Sequence, residues 1–199
     1  MGSIFQRAEA MAAAVSAISS GASFLISAVD LAAYILFGIA CLQLANKLGV
    51  PYGWRGFIPF ADRWLLGRLA DAGKPRGNAH WQLLALYIGK VLFGSLHSSL
   101  SGASRVAALA ETFLHVQVSP AVESVLSIDI VFRLLAYACG IGYTVILCMA
   151  YYRLAKNFGG ESYAGYLALL LLGAFVQPVI SSLALLLLSR KEPAVTVTE

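Results

Sequence analysis

Charged side chains are scarce in this sequence: Asp, Glu, Lys and Arg make up 12% of its 199 residues. A soluble domain typically carries about 25%. Half that supply cannot cover a globule of this size with water-compatible groups, so lipid is its expected surroundings. Cysteine is scarce too. Cys41, Cys139 and Cys148 sit inside apolar runs at no redox or metal-ligand spacing, and their odd number argues against a disulfide framework. The three histidines, His80, His97 and His115, fall in separate segments, so no metal site and no cofactor are expected. HExxH, GxSxG, a P-loop and a strand-preceded GxGxxG are all missing, and no nucleophile–base pair can be drawn. An enzyme is disfavoured on these grounds. The opening MGSIFQRAEAMAAAVSAISS is too weakly apolar for the core of a cleavable signal, and Gln6 stands where a myristoylation motif needs Ser or Thr.

What is present is apolar. Hydrophobic residues make up 59% of the chain and the mean hydropathy is +0.78. The runs predict an all-α, polytopic transmembrane helical bundle in a single domain over 1–199. It has about four spans, near 24–45, 80–100, 128–154 and 163–189, each long enough to cross a bilayer. Residues 4–20 can add an Ala-rich helix at the interface or extend the first span. The segment Trp54 to Leu69 carries Arg55, Asp62, Arg63 and Arg68. At roughly 2.5–3.5 kcal/mol per charge near the bilayer centre, it cannot span. An in-plane amphipathic helix or a shallow re-entrant turn is expected there. Residues 101–127 read as a mixed loop with one amphipathic piece. Gln177-Pro178 interrupts the last run, which is read as one kinked helix in preference to two half-helices in a hairpin.

The net charge of +4 comes from loops, not from a basic stripe, so nucleic acid is not an expected partner. Lys47, Arg55, Arg63, Arg68, Lys74 and Arg76 lie between the first two spans, whereas Arg105 is the only cation between the next two. Cations gather on the cytoplasmic side, which makes loop 46–79 cytoplasmic. An internal repeat is also legible. Leu44-Ala45-Asn46-Lys47-Leu48-Gly49 is similar to Leu154-Ala155-Lys156-Asn157-Phe158-Gly159, and each follows a Tyr-containing apolar run. Two related halves are a common origin of small transport folds.

The candidate site residues are the ionisable groups within spans, which are costly in lipid and face the bundle interior. Measured from the cytoplasmic ends, Asp30 lies about 22 Å up, Lys90 about 15 Å and His97 about 25 Å, with Arg133 near the depth of His97. They are read either as a polar pocket for an anion, headgroup or proton, or as fixed ion pairs and snorkelling cations. Trp54, Arg55, Arg63 and Arg68 form a second candidate, a surface for anionic lipid or a partner protein, or an ordinary interfacial anchor.

Gly53-Trp54-Arg55-Gly56-Phe57-Ile58-Pro59-Phe60-Ala61-Asp62-Arg63-Trp64-Leu65-Leu66-Gly67 resembles a family of small, uncharacterised bacterial polytopic membrane proteins with a W-x-x-F-I-P-x-x-N-x-Y-L-L segment. Asp62 and Trp64 stand where Asn and Tyr are usual. The resemblance covers about residues 30–75 and implies a bacterial cytoplasmic membrane, with no activity to carry over. The leading expectation is a non-enzymatic accessory or scaffold subunit whose partners are the lipid bilayer and a membrane protein or further copies of itself. The alternative is a small transporter or channel-like protein built on Asp30, Lys90 and Arg133. A lipid-modifying enzyme ranks third. All these readings require the full-length protein to sediment with membranes on ultracentrifugation and to enter solution only with detergent.

Overall fold

The computed structural model describes residues 26–72, 77–114 and 120–193, with side chains described outside 103–127. Every regular element among them is helical. The Ala-rich segment 4–20, His115, Lys74 and Arg76 lie outside the described residues.

Helix α1 (Ile26–Lys47) is long and apolar enough to cross a membrane. It ends because Gly49 takes φ 67°. Gly49 N–H then bonds Asn46 O at 3.5 Å and Val50 N–H bonds Ala45 O at 2.9 Å, the crossed pair that closes a helix on a left-handed residue. The chain turns back through Tyr52 (φ 67°), and the 3-10 turn Gly53–Phe57 climbs beside α1. Gly53 lies against Ala45, Gly56 against Cys41 and the Phe57 ring against Gly38. The backbone reverses at Phe60 (φ 70°), and α2 (Ala61–Ala70) runs back down with Leu65, Leu66 and Leu69 fully buried. This segment therefore re-enters the bundle and does not lie in the interface plane. Its leucine stripe needs a core, while Arg55 and Arg68 remain outside it.

Helices α3 (Ala79–Leu114) and α4 (Pro120–Gly159) pack side by side. They are about 54 and 60 Å long, well beyond the roughly 30 Å of a hydrocarbon core. The loop expected over 101–127 is corrected here: α3 continues to Leu114 and α4 begins at Pro120. Polar residues end the apolar run there but not the helix, because Ala, Arg, Leu and Glu are good helix formers.

The last apolar stretch, expected as a fourth span over 163–189, is also corrected. It consists of α5 (Tyr163–Phe175) and α6 (Pro178–Ser189), about 20 and 18 Å long, each too short to cross alone. They fold back on one another. A Cβ on Gly173 would collide with the Ser181 backbone, and Lys191 Nζ lies 4.8 Å from the Tyr166 ring centroid near the start of α5. Pro178 starts a new helix here, its missing N–H harmless at a first turn, after Gln177 has unwound to φ −151°. Three helical stretches, Ile26–Lys47, Ala79–Gly102 and Ile128–Phe175, are long and apolar enough to cross a membrane. Their outward faces carry Ile26, Leu92 and Ile141 at 53–68% exposure, which suits lipid and not water.

The repeat is written into the burial pattern. The buried hydrophobic residues of α1 and its cap pair with those of α4 at one constant offset: Ala33 with Tyr143, Phe37 with Leu147, Ala40 with Ala150, Cys41 with Tyr151, Leu44 with Leu154, Ala45 with Ala155, and Leu48 with Phe158. A second constant offset pairs α2 with α6: Asp62 with Ser181, Leu65 with Ala184, Leu66 with Leu185, Leu69 with Leu188, and Ala70 with Ser189. Pro59 and Pro178 correspond at that same offset. Each half is thus a long helix followed by a hairpin that re-enters, and both point the same way.

The halves are latched crosswise. Arg153 of α4 donates to Asp71 Oδ1 at 2.7 Å, just past α2, and Asp71 Oδ2 accepts the Ala79 N–H at 2.7 Å, capping α3. Ser189 of α6 donates to Gln43 Oε1 of α1 at 2.6 Å, and Lys47 Nζ donates to Lys191 O at 2.9 Å. Gln43 and Arg153 themselves correspond in the repeat. In a background with the native cysteines replaced, Lys47→Cys and Lys191→Cys should react with a membrane-impermeant maleimide from the same side. Labelling from opposite sides would require the single crossing that the hairpin replaces.

Candidate functional site

The second residue of α2 after its start, Arg63, turns into the bundle, not toward lipid. Its side chain is 24% exposed and that of Asp62 4%. The guanidinium lies 5.4 Å from the Phe37 ring centroid and 5.3 Å from that of Tyr87. Tyr87 continues an aromatic row to Tyr143 and Phe60, with centroids 5.4 and 5.6 Å apart. Asp62 Oδ1 accepts the Arg63 backbone N–H at 2.7 Å, a bond at the start of α2, where donors lack partners within the helix. Its Oδ2 is 3.4 Å from Arg63 Nε, but the alignment fails as a hydrogen bond, and Nε is buried without an acceptor.

Arg63 borders a cavity of about 360 Å³ where the two halves meet. Its walls come from α1 (Asp30, Ala33, Tyr34, Phe37), α4 (Tyr143, Leu147, Tyr151), the α5 end (Gly173, Ala174) and the α6 start (Pro178, Ser181, Ser182). A second buried polar atom on this wall, Tyr34 Oη, also has no partner. The Ser181 and Ser182 hydroxyls donate to Pro178 O at 2.9 and 3.0 Å, and Tyr151 lines the same space. The start of α6 borders the same space through Pro178, Ser181 and Ser182, and its positive dipole end favours negative charge nearby. A guanidinium, phenols and a helix's positive end lie together around this space, an arrangement suited to an anionic or strongly polar group.

The intramembrane residues read from the sequence do not form one cluster. Asp30 lines the cavity. Lys90 lies on the other side of Tyr143, its Nζ 5.7 Å from that ring centroid. Arg133 stacks near Tyr137 at 5.7 Å. His97 Nδ1 meets Asp129 Oδ1 at 2.7 Å across α3 and α4. No ion pair joins Asp30 to Lys90 or Arg133 among the described residues. In the second candidate group, Arg63 is corrected from surface to interior, while Trp54, Arg55 and Arg68 keep an outward position. Arg55 lies 4.5 Å from the Tyr52 ring centroid and 5.0 Å from that of Trp64, and Arg68 is 5.8 Å from Trp64.

Tyr34, Tyr143, Tyr151, Ser181 and Ser182 escaped the sequence reading. The repeat offers a signal for the serines, since aligning Pro59 with Pro178 brings Asp62-Arg63 onto Ser181-Ser182. Comparison with protein-family models, curated proteins and solved structures finds no match for this chain.

Asp62→Ala should lower the melting temperature in detergent sharply, by a loss of about 3 kcal/mol or more, because it strands a buried cation. Asp62→Leu combined with Arg63→Met should recover most of that loss. A thermal-unfolding double-mutant cycle reads both.

Proposed function

We propose that this chain is a small membrane carrier or solute-binding protein whose ligand bears a carboxylate or phosphate group and binds in the cavity between the two halves. The observation that carries the reading is a partly exposed guanidinium, Arg63, bordering a cavity between the halves that Tyr34, Ser181 and Ser182 also line. Parallel repeats and a broken helix whose start opens on the site are recurrent features of carriers. This reading keeps Asp30 from the pocket expected on sequence grounds and replaces Lys90 and Arg133 by Arg63. Asp30, at the cavity's edge, is the group that would exchange a proton or counter-ion with the ligand. In this reading the basic end faces the cytoplasm of a bacterium, as the family resemblance implies.

Purified protein titrated with a panel of small carboxylates and phosphate esters should bind at least one class. Arg63→Gln should weaken binding by about ten-fold or more, the range of a lost charge-assisted hydrogen bond. Arg63→Lys should recover part of it. Flux of the bound solute into liposomes should fall with Asp30→Asn. If Asp62→Leu with Arg63→Met folds and still binds the same solute equally well, the arginine is structural and the reading fails.

The scaffold role keeps one specific support, the outward basic and aromatic face of Trp54, Arg55 and Arg68. A polypeptide that co-purifies in fixed ratio from native membranes, and is lost on changing those residues, would favour it.

A further inference from the structure

Outside the central cavity, a second concavity of about 530 Å³ opens between the re-entering segment and the start of α3. Its lining is almost wholly apolar: Pro59, Phe60, Ala61, Trp64, Trp81 and Leu84, with Arg55 at one end. Trp81 is 60% exposed and Phe60 42%. Arg68 flanks the same Trp64 ring. Neither Arg55 nor Arg68 has a carboxylate within ion-pair distance among the described residues.

We propose that this groove holds one anionic phospholipid, its phosphate on Arg55 and Arg68 and an acyl chain along Phe60, Trp81 and Leu84. Charge complementarity selects the occupant: Arg55 lines an apolar slot and Arg68 lies on the Trp64 ring that forms part of its wall, both without protein counter-ions among the described residues. Depth agrees. All three tryptophans of the chain, Trp54, Trp64 and Trp81, gather around this end, and tryptophan concentrates at headgroup level. Arg68 and Arg55 thus meet the layer in which lipid phosphates lie, and the slot runs inward from it beside α3. Stacking on Trp64 holds Arg55 in position before a lipid arrives, so less side-chain freedom is lost on binding. The site is independent of the central cavity and does not need a transported solute.

The test uses the full chain in nanodiscs of phosphatidylcholine and phosphatidylglycerol in equal parts. Native mass spectrometry should show phosphatidylglycerol retained preferentially, and Arg55→Gln with Arg68→Gln should cut that preference by about ten-fold or more, given roughly a factor of five per arginine at a lipid surface. Wild-type protein supplies a second measurement. Phosphatidylglycerol with brominated chains should quench tryptophan fluorescence more strongly than the matching phosphatidylcholine at equal mole fraction. A soluble glycerophosphate should not compete, because it lacks the chain. Equal quenching by the two lipids overturns the proposal. So does unchanged preference in a folded double variant, or a second copy of the chain that shields Trp81 and leaves no lipid retained.

Discussion

Hydrocarbon supplies no hydrogen bonds, so a helix that starts or stops within it must find partners inside the protein. Both hairpins in this chain break their backbones beside the long apolar helices, one around Phe60 and one around Gln177. Each short helix then has a start that only protein can satisfy. For α2 the Asp62 carboxylate does so. For α6, Pro178 removes one donor altogether, and the Ile180 N–H bonds Gln177 O at 3.0 Å. The crosswise latches follow from the same need. Arg153 holds the foot of α2 through Asp71, and Gln43 holds the foot of α6 through Ser189. Each hairpin is thus tied to the long helix of the other half, which makes two small repeats into one body.

The long helices were plain in the sequence because an apolar run of twenty residues has few other readings. The re-entering segment at 53–70 was half visible: its charges excluded a crossing, and its leucines called for a core, but the direction of Arg63 needed the neighbouring rings. The hairpin at 163–189 was less visible. A Gln-Pro break in an uncharged run fits a kink and a reversal equally well, and the choice rests on the close approach of Gly173 to Ser181, between residues eight apart that no periodicity links. The helical course through 101–114 was hidden for another reason: polarity marks where lipid ends, not where a helix does.

The cavity is lined mostly by residues that a ranking by charge passes over. Ranking by charge within apolar runs found Asp30 and missed the tyrosines and serines, which carry no charge and so carry no warning in hydropathy. Arg63 was seen, yet assigned outward with Arg55 and Arg68, since three arginines on one amphipathic segment look alike until packing distinguishes them. The hexapeptide likeness near residues 44 and 154 was the most informative weak signal. It extends over seven buried positions of each long helix, far more than the six letters first suggest.

Parallel duplication has a consequence for how such a molecule can move. When two halves are related by an axis lying in the membrane plane, exchanging their conformations turns an inward-open state into an outward-open one. In the proposed carrier the two halves point the same way, so an axis relating them would run along the membrane normal, and exchanging the halves would return the same opening on the same face. In the proposed carrier, any change of access has to come from an asymmetric element, and the hairpin tips differ most: Arg63 borders the cavity from one, Ser181 and Ser182 from the other.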